Sequence, residues 1–380
     1  MEGHRSRLSN GSDDAEMLYA FGLSANIRYD QGLYIESERL LRRVLRGRSV
    51  FSHQNRDYVH VIRYLGRIAE KQGKLIEAEL AHRQATEEAE RLYGSRDVIA
   101  LEIARDLGST LRQQGRYEEA EAILRETLAL SKEVRGLELK STLSTTNHLA
   151  RLLSGQGKHD EAIKMHREVV ALANEAFGPV DPETLMHMDY LGSALMQQGH
   201  YKDAEAIHRE TLVLSKKLLG SEHSNTLLSM DYLGVQLAKL DRYKEAEMIH
   251  RETLVLRKKV LGSEHPETLT TMENFGSALE NQGRYEETEV VYRERLALYK
   301  KVSGPEHPNT LRSFMCLGIM IYEQSRYREA EAIFIKTLVL RQEVLGCEHP
   351  DTLNSARWLR HALDGQAKLE EAGSIASLGM

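Results

Sequence analysis

The chain has 380 residues, of which 41% are hydrophobic and 28% are charged. Its 51 Lys and Arg against 57 Asp and Glu give a formal net charge of −6, so the chain lacks the cationic excess that nucleic-acid binding requires. No apolar run approaches the roughly 18–20 residues that span a bilayer, and the polar stretch 1–14 lacks the apolar segment of a secretion signal. The two cysteines, Cys316 and Cys347, are too few for a disulfide framework, and we expect a soluble, cytoplasmic protein.

A step of 42 residues organises the sequence. Gly-Ser-Glu-His-Pro-Glu-Thr-Leu at 262–269 returns in similar form at 304–311 and at 346–353. The same step traces the leading glycine back to Gly220, Gly178, Gly136 and Gly94. A second marker, a small residue after an apolar one, falls at Gly66, Gly108, Ala150, Gly192, Gly234, Gly276 and Gly318. The step predicts one array: a flexible N-terminus at 1–14, a degenerate first unit at 15–57, seven regular units at 58–349 and a degenerate C-terminal cap at 350–380.

Each unit is predicted to contain two helices, which we call helix A and helix B. Leu227, Met230, Leu233 and Leu237 form one apolar stripe of a helix A, and Tyr117, Ala120, Leu124 and Leu128 do the same for a helix B. A Gln-Gly turn separates the two helices in most units. Helix B is predicted to end at the leading glycine of the next unit in a left-handed cap, and Pro266, Pro308 and Pro350 to start the next helix A.

The pattern Leu107-Gly108…Leu111…Tyr117…Ala120…Leu124…Leu128 resembles a tetratricopeptide repeat (TPR) unit, lengthened from 34 to 42 residues. The longer unit, with Gly-x-x-His-Pro-x-Thr-Leu and Gly-Arg-Tyr-x-Glu-Ala-Glu, is similar to the arrays of kinesin light chains and their fungal and bacterial relatives. The resemblance covers about 58–380. It implies an all-α, right-handed superhelical solenoid of about nine helix-turn-helix units.

The same resemblance implies a binding groove. On helix A, the residues three before, one after and four after the marker share one face, and in TPR superhelices that face lines the concave groove. Positions that vary between units are free to serve recognition, since the recurring ones are needed for stacking. The candidate groove residues are Arg63, Arg67, Arg105, Arg112, Asn147, Arg151, Asp189, Asp231, Glu273 and Glu280. The groove is therefore expected to be basic at its N-terminal end, acidic in the middle and apolar at Met315, Ile319 and Tyr322.

We interpret the chain as a non-catalytic scaffold that captures an extended partner segment. Arginine forks at the basic end would hold the carboxylates of an acidic peptide, and the amide of Asn147 would clamp its backbone. Two other interpretations remain open. One is the sensor or assembly part of a larger NTPase-type receptor, acting by self-association. The other is an enzyme that uses the groove.

The search for a chemical site yields no candidate for catalysis, and we expect no metal and no cofactor. His223, His265, His307 and His349 recur once per unit, so each lies at least a helix-packing distance of about 8–10 Å from the next. Zinc needs its nitrogen ligands at about 2.0–2.1 Å, so the four histidines are interpreted as turn residues. His208 and His250 are interpreted as helix B surface and seam residues.

Overall fold

The computed structural model describes residues 15–47, 56–134 and 139–378, and 85% of these described residues are helical. No strand occurs within these three stretches. The predicted flexible N-terminus and the marker Gly136 lie outside the described residues. In chain order the helices are α1 (Ala15–Asp30), α2 (Tyr34–Gly47), α3 (Arg56–Lys71), α4 (Leu75–Tyr93), α5 (Val98–Gln113), α6 (Tyr117–Glu133), α7 (Leu139–Gly155), α8 (His159–Phe177), α9 (Pro182–Gln197), α10 (Tyr201–Leu219), α11 (Ser224–Lys239), α12 (Tyr243–Val260), α13 (Pro266–Glu280), α14 (Tyr285–Ser303), α15 (Pro308–Glu323), α16 (Tyr327–Leu345) and α17 (Pro350–Leu378).

The prediction of an all-α array is confirmed. Helices α1 to α16 form eight pairs, in which the odd-numbered member is helix A and the even-numbered member is helix B. The chain divides into two compact units at residue 172, within α8. Each unit has its own apolar clusters, for example one around Leu111, Leu124 and Leu152 in the first and one around Phe314 and Phe334 in the second.

The marker glycine lets the two helices of a pair cross closely. A Cβ atom added at Gly108 would lie 2.7 Å from Leu124 Cγ, and one added at Gly318 would lie 2.5 Å from Phe334 Cε1. The corresponding rings elsewhere are those of His82, His208, His250 and Tyr292. The predicted close crossing at Gly108 is confirmed. His208 and His250 are fully buried seam residues, which rules out a helix B surface position for either.

The turns between helix A and helix B require a left-handed backbone. Gly73, Gly115 and Gly283 have φ between +72° and +78°, and Ser325 takes the same place with φ +61°. Forty-two residues after Ser325, the equivalent turn position is Ala367. No turn forms there, and α17 continues to Leu378. A left-handed conformation is unfavourable for a residue with a Cβ. The described chain therefore ends in the single long helix α17, which follows the eight helix pairs.

Helix starts follow the predicted pattern, with one addition. Pro266, Pro308 and Pro350 begin α13, α15 and α17 as expected. The histidine before each of them caps the helix: His307 Nδ1 accepts a hydrogen bond from Asn309 N at 3.1 Å. His223, His265 and His349 make the same contact, and Asp97 and Asp181 replace them at α5 and α9.

The ends of helix B differ from the prediction. Gly94, Gly304 and Gly346 have φ near +90° but ψ between 156° and 170°. These glycines are therefore not in the left-handed helical region, where ψ is near +47°. They occupy an extended region with positive φ that is essentially restricted to glycine, so glycine is still needed there.

A ladder of ion pairs joins successive units along helix B. Arg116 donates to Glu79 of the preceding helix B at 2.7 Å and to Glu119 of its own first turn at 2.5 Å, while Gln114 donates to Glu79 at 2.9 Å. These contacts explain why the Arg-Tyr-x-Glu motif recurs. We call the series of ion pairs between successive units the inter-repeat ladder. Arg242, Arg284 and Arg326 repeat the arrangement. None of the described helices has an apolar stretch of membrane-spanning length.

Candidate functional site

The candidate residues nearest the chain start lie on three successive helices A. Arg63 and Arg67 are on α3, Arg105 and Arg112 on α5, and Arg151 on α7. The structure thus places the predicted basic end on helices of one compact unit. The five arginines differ sharply in their partners.

Arg63 is occupied inside the array. Its side chain is buried, and it donates to Asp106 at 2.7 Å and to Glu102 at 2.6 Å, both on α5. This twofold carboxylate contact joins two successive helices A, so Arg63 is a packing residue of the unit. Burial opposes the charged form, but the two carboxylates outweigh burial and hold the pKa of Arg63 above its usual value.

The polar residues at the equivalent position in later units are also engaged internally. Asn147 Oδ1 lies 3.1 Å from His166 Nδ1. Asp189 is 1% exposed, lies 3.1 Å from His208 Nδ1 and accepts from Ser229 at 2.5 Å. Burial raises the pKa of Asp189, although its two hydrogen bonds act in the opposite direction.

The next two acidic candidates are paired with buried arginines. Arg257 Nη1 lies 2.7 Å from Asp231 Oδ2, and Glu273 forms ion pairs with Arg295 and Arg312. Arg257 and Arg295 are each at most 2% exposed. Asp189, Asp231 and Glu273 are therefore bound within the seams between helices, because a buried charge is stable only with such partners. These three carboxylates were expected to form the acidic middle of the groove, but each is paired within the fold. Glu280 is the remaining acidic candidate.

Glu280 lies at the end of α13 and is half-buried. Burial raises the pKa of its carboxyl group; a hydrogen bond from Tyr292 at 3.4 Å opposes this, while the nearby Glu323 adds to the increase. No cation of the described residues pairs with Glu280. This carboxylate stands apart from the three paired ones.

Three arginines of the basic end have no carboxylate partner among the described residues: Arg67, Arg112 and Arg151. The guanidinium of Arg67 lies over the rings of Tyr29 and Tyr64, at 5.0 and 5.4 Å from their centroids. Burial lowers the pKa of Arg112, and the neighbouring Arg151 lowers it further. The carboxylate of Glu70 and the hydroxyl of Tyr117 oppose this decrease in the pKa of Arg112. Arg112 and Arg151 thus lie near each other, and neither forms an ion pair with a carboxylate of the described residues.

Arg105 is intermediate between the two groups. Its side chain is 11% exposed, its nearest carboxylate oxygen is that of Asp106 at 3.8 Å, and its buried Nε atom has no hydrogen-bond partner. Burial lowers the pKa of Arg105, and Asp106 and Glu102 oppose that effect. We use the name basic strip for Arg67, Arg105, Arg112 and Arg151.

Sequence reasoning missed the residues that divide the arginines into these two groups. Glu102 and Asp106 neutralise Arg63, and Tyr29 and Tyr64 orient Arg67. One signal was present: Asp106 directly follows Arg105, a place where an acidic residue is otherwise rare in the array. The partners lie about one repeat away along the chain, so their distances could not be read from helix periodicity.

A cavity of about 430 Å³ lies away from the basic strip, on the helix B side of the first unit. Its lining includes the apolar Leu128, Leu149 and Met165 and the basic Lys132 and Lys164. None of the candidate groove residues lines it.

Family models for tetratricopeptide repeats match residues 64–133, 141–217, 183–254, 224–301 and 310–351. These matches cover more than half of the chain. The chain belongs to the tetratricopeptide repeat family. Both parts of the resemblance proposed from the sequence, to TPR units and to kinesin light chain-like arrays, occur among the matches.

The solved structures to which this chain is similar include three of different origin. One is a structure of the nearly identical TPR-like repeats of a protein from Podosopora anserina that is named after kinesin light chain. Its sequence is 24% identical to that of this chain, the TM-score is 0.49, and the match covers 54% of this chain and 97% of that one. BtubC of P. vanneervenii is 19% identical, with a TM-score of 0.49, over 60% and 92%. The apo form of RapI is 12% identical, with a TM-score of 0.47, over 93% and 98%. The comparison with curated proteins found no match.

TPR folds are protein-interaction scaffolds, whose successive units build extended binding surfaces. The four once-per-unit histidines have a structural explanation in this TPR chain, since each caps a helix A. Among the residues that the structure describes, no three His, Cys, Asp or Glu side chains are close enough to hold a metal ion.

Proposed function

We propose that this chain is a non-catalytic scaffold whose basic strip binds an extended acidic segment of a partner protein. The observation that carries the proposal is the contrast in partners on the same three helices. Arg63 is neutralised by two carboxylates, whereas Arg67, Arg112 and Arg151 form no ion pair with any carboxylate of the described residues. Charged groups that only packed the array would be expected to pair as Arg63 does.

The physical basis is the cost of holding arginines near one another when none of them forms an ion pair, since the nearby Glu70 offsets only part of that cost. Burial and Arg151 both disfavour the charged form of Arg112, and an incoming carboxylate would offset both effects. Arg guanidinium groups bind carboxylates through two parallel hydrogen bonds, which adds orientation to charge. The two tyrosine rings beneath Arg67 hold its guanidinium in place, so less side-chain entropy is lost on binding.

The test is the double variant Arg112→Glu/Arg151→Glu. Both positions are outside the ion pairs of the fold, in contrast to Arg63, whose replacement would break the contact between α3 and α5. The matched control is Lys202→Glu/Lys244→Glu, which makes the same change in net charge at exposed lysines without ion pairs. Circular dichroism establishes that all forms are folded.

Affinity capture from native lysate, read by mass spectrometry, is followed by titration of a captured segment against each purified form. We expect the arginine variant to lose the partner, with affinity reduced about a hundredfold because reversing close charges adds repulsion to lost attraction. The control should bind like the wild type. Equal capture by both variants would contradict the proposal, and capture of only the chain itself would favour self-assembly instead.

A further inference from the structure

The outer edges of successive helices B are joined by lysine–glutamate pairs in the second unit. Lys216 of α10 contacts Glu252 of α12 at 3.0 Å, and Lys258 of α12 contacts Glu294 of α14 at 2.8 Å. The two pairs are exactly one 42-residue step apart. The next pair in this series would join residues 300 and 336, on α14 and α16.

At residue 336 the charge of the second member of the pair is reversed from negative to positive. Lys300 occupies the position of Lys216 and Lys258, so the first member of the pair is unchanged. The second member is Lys336, at the position that Glu252 and Glu294 occupy in the preceding units. Both ammonium groups lie over the ring of Phe314, at 4.5 and 5.2 Å from its centroid. Neither lysine forms an ion pair with a carboxylate of the described residues. Burial lowers the pKa of Lys300, and the charge of Lys336 lowers it further.

The surroundings of the two lysines also change. Ile335 takes the place of Arg251 and Arg293, each of which pairs with a glutamate of its own helix, Glu247 and Glu289 respectively. Ile335 and Val339 on α16 are 45% and 46% exposed, and an exposed valine already stands at the place of Val339 in α12, so Ile335 is the apolar residue that is new in this seam. The seam thus presents two unneutralised cations among exposed apolar side chains.

We propose that the seam between α14 and α16 is a second docking surface, which binds a partner segment carrying an aspartate or glutamate between apolar side chains. The partner's carboxylate would lie between Lys300 and Lys336 and supply the anion that Glu252 and Glu294 supply in the neighbouring seams. The apolar neighbours of that carboxylate would cover Ile335 and Val339. Charge complementarity fixes the occupant, since two close ammonium groups repel any cationic segment.

Lys336→Glu is the informative variant, because it restores the lysine–glutamate pair of the neighbouring seams. It should keep or raise the melting temperature while removing the binding surface. Lys300→Glu places the carboxylate on the other helix and should act in the same way. Lys244→Glu is the matched control, with the same change of charge at an exposed lysine outside any ion pair.

The probe is a fluorescent peptide of alternating leucine and glutamate, with its leucine and glutamine counterpart as the neutral reference. A carbodiimide joins amines to carboxylates in direct contact, and mass spectrometry locates the links. The existing pairs Lys216–Glu252 and Lys258–Glu294 serve as internal positive controls for the reaction.

In the wild type we expect the acidic peptide to be linked to Lys300 or Lys336. The yield should fall about tenfold or more in Lys336→Glu and in Lys300→Glu, and it should stay unchanged in Lys244→Glu and in Arg112→Glu/Arg151→Glu. The last result separates this surface from the basic strip. Links to Lys300 and Lys336 no more frequent than links to Lys244, or an unchanged yield in a folded Lys336→Glu chain, would overturn the proposal.

Discussion

The imidazole of His82 is completely buried against Gly66, and neither of its ring nitrogens has a hydrogen-bond partner among the described residues. Burial lowers the pKa of His82 from 6.5 to about 4; Asp106 opposes this effect, and Arg63 adds to it. The folded unit therefore contains the neutral ring, whereas the unfolded chain binds a proton below pH 6.5. Stability from this group is complete above pH 6.5 and is lost as the pH falls towards 4.

Leu124 occupies the corresponding position one unit later, so His82→Leu is a replacement that the array already uses. We expect the variant to be at least as stable as the wild type at pH 7, because the unsatisfied nitrogens are removed. Between pH 7 and pH 5 its advantage in free energy of unfolding should grow by about 2 kcal/mol, since only the wild type takes up the proton on unfolding. Urea unfolding at both pH values measures the difference. A constant difference would show that His82 is accessible to protons in the folded chain.

The candidate site shows what single-residue reasoning can and cannot reach. Helix periodicity correctly placed Arg112 and Arg151 on helices A of neighbouring units. It also grouped Asp189 and Asp231 with them, although these carboxylates are bound to His208 and to Arg257. Periodicity gives the face of a helix, but it does not give how deeply that face lies beneath the neighbouring helix. The contribution of each arginine to ligand binding stays a prediction.

At the scale of the element, the crossing of helix A and helix B depends on a missing side chain. Phe334 is completely buried and fills the space at Gly318. Ala150 shows that one unit accepts a methyl group at this position. The tolerance therefore depends on the residue opposite, and a buried phenylalanine ring has little room to withdraw.

Gly318→Ala should destabilise the second unit by about 1–3 kcal/mol, because the added methyl group overpacks the contact with Phe334. Gly22→Ala is the matched control: Gly22 lies within α1 with nothing within 4 Å of an added Cβ. There the substitution should stabilise by about 0.5–1 kcal/mol, since alanine is the better helix former. Hydrogen exchange of each unit, followed by mass spectrometry, measures both effects locally. Equal effects at the two sites would show that the close approach is unimportant.

The boundaries of elements were predictable where one residue type controls them. The starts of α13 and α15 at proline followed directly from the sequence. The unbroken length of α17 did not, although its cause can be read from the chain: Ala367 stands where the other units have Gly, Asp or Ser. The ψ angles of the glycines after helix B depend on how the next helix A docks, which no local pattern contains.

For the whole array, the inter-repeat ladder links the stability of each unit to that of the next. Glu121 of α6 receives hydrogen bonds from Gln156 at 2.8 Å and Lys158 at 3.0 Å, both in the following unit, and from Arg125. Burial raises the pKa of Glu121, but these three contacts outweigh burial and hold it at about 2. The stabilisation is complete above the usual pKa of about 4.5 and is lost as the pH falls towards 2.

Glu121→Gln should therefore be less stable than the wild type at pH 7, and the difference should shrink steadily below pH 4.5. Near pH 2 most of the difference in free energy of unfolding should be gone, because Glu121 is then about half protonated in the folded chain and almost fully protonated in the unfolded chain. Glu126→Gln is the control, an exposed carboxylate of the same helix without an ion pair. Denaturant titrations from pH 7 to pH 2 test this. A difference that persists unchanged at pH 2 would place the effect in packing, with no contribution from charge.

The repeat step explains why the fold of the whole molecule was easier to predict than its surface. Stacking requires the same apolar and small residues in every unit, so seven copies reinforce one another in a single sequence. The seam at Lys300 and Lys336 carries no such reinforcement, because it is a departure from the pattern. That this seam lacks an ion pair can be recognised only by comparison with the pairs Lys216–Glu252 and Lys258–Glu294, whose distances come from the structure.

The inter-repeat ladder also determines how the array can change in length. Glu205 meets Arg242 and Glu247 meets Arg284 through identical contacts, one 42-residue step apart. If recombination removed 42 residues between these points, Glu205 would meet the next arginine of the series with the same geometry. The gain or loss of a whole repeat in this region would therefore leave no mismatched junction. A repeat inserted at α16, where Lys336 interrupts the lysine–glutamate series, would instead separate Lys300 from Lys336.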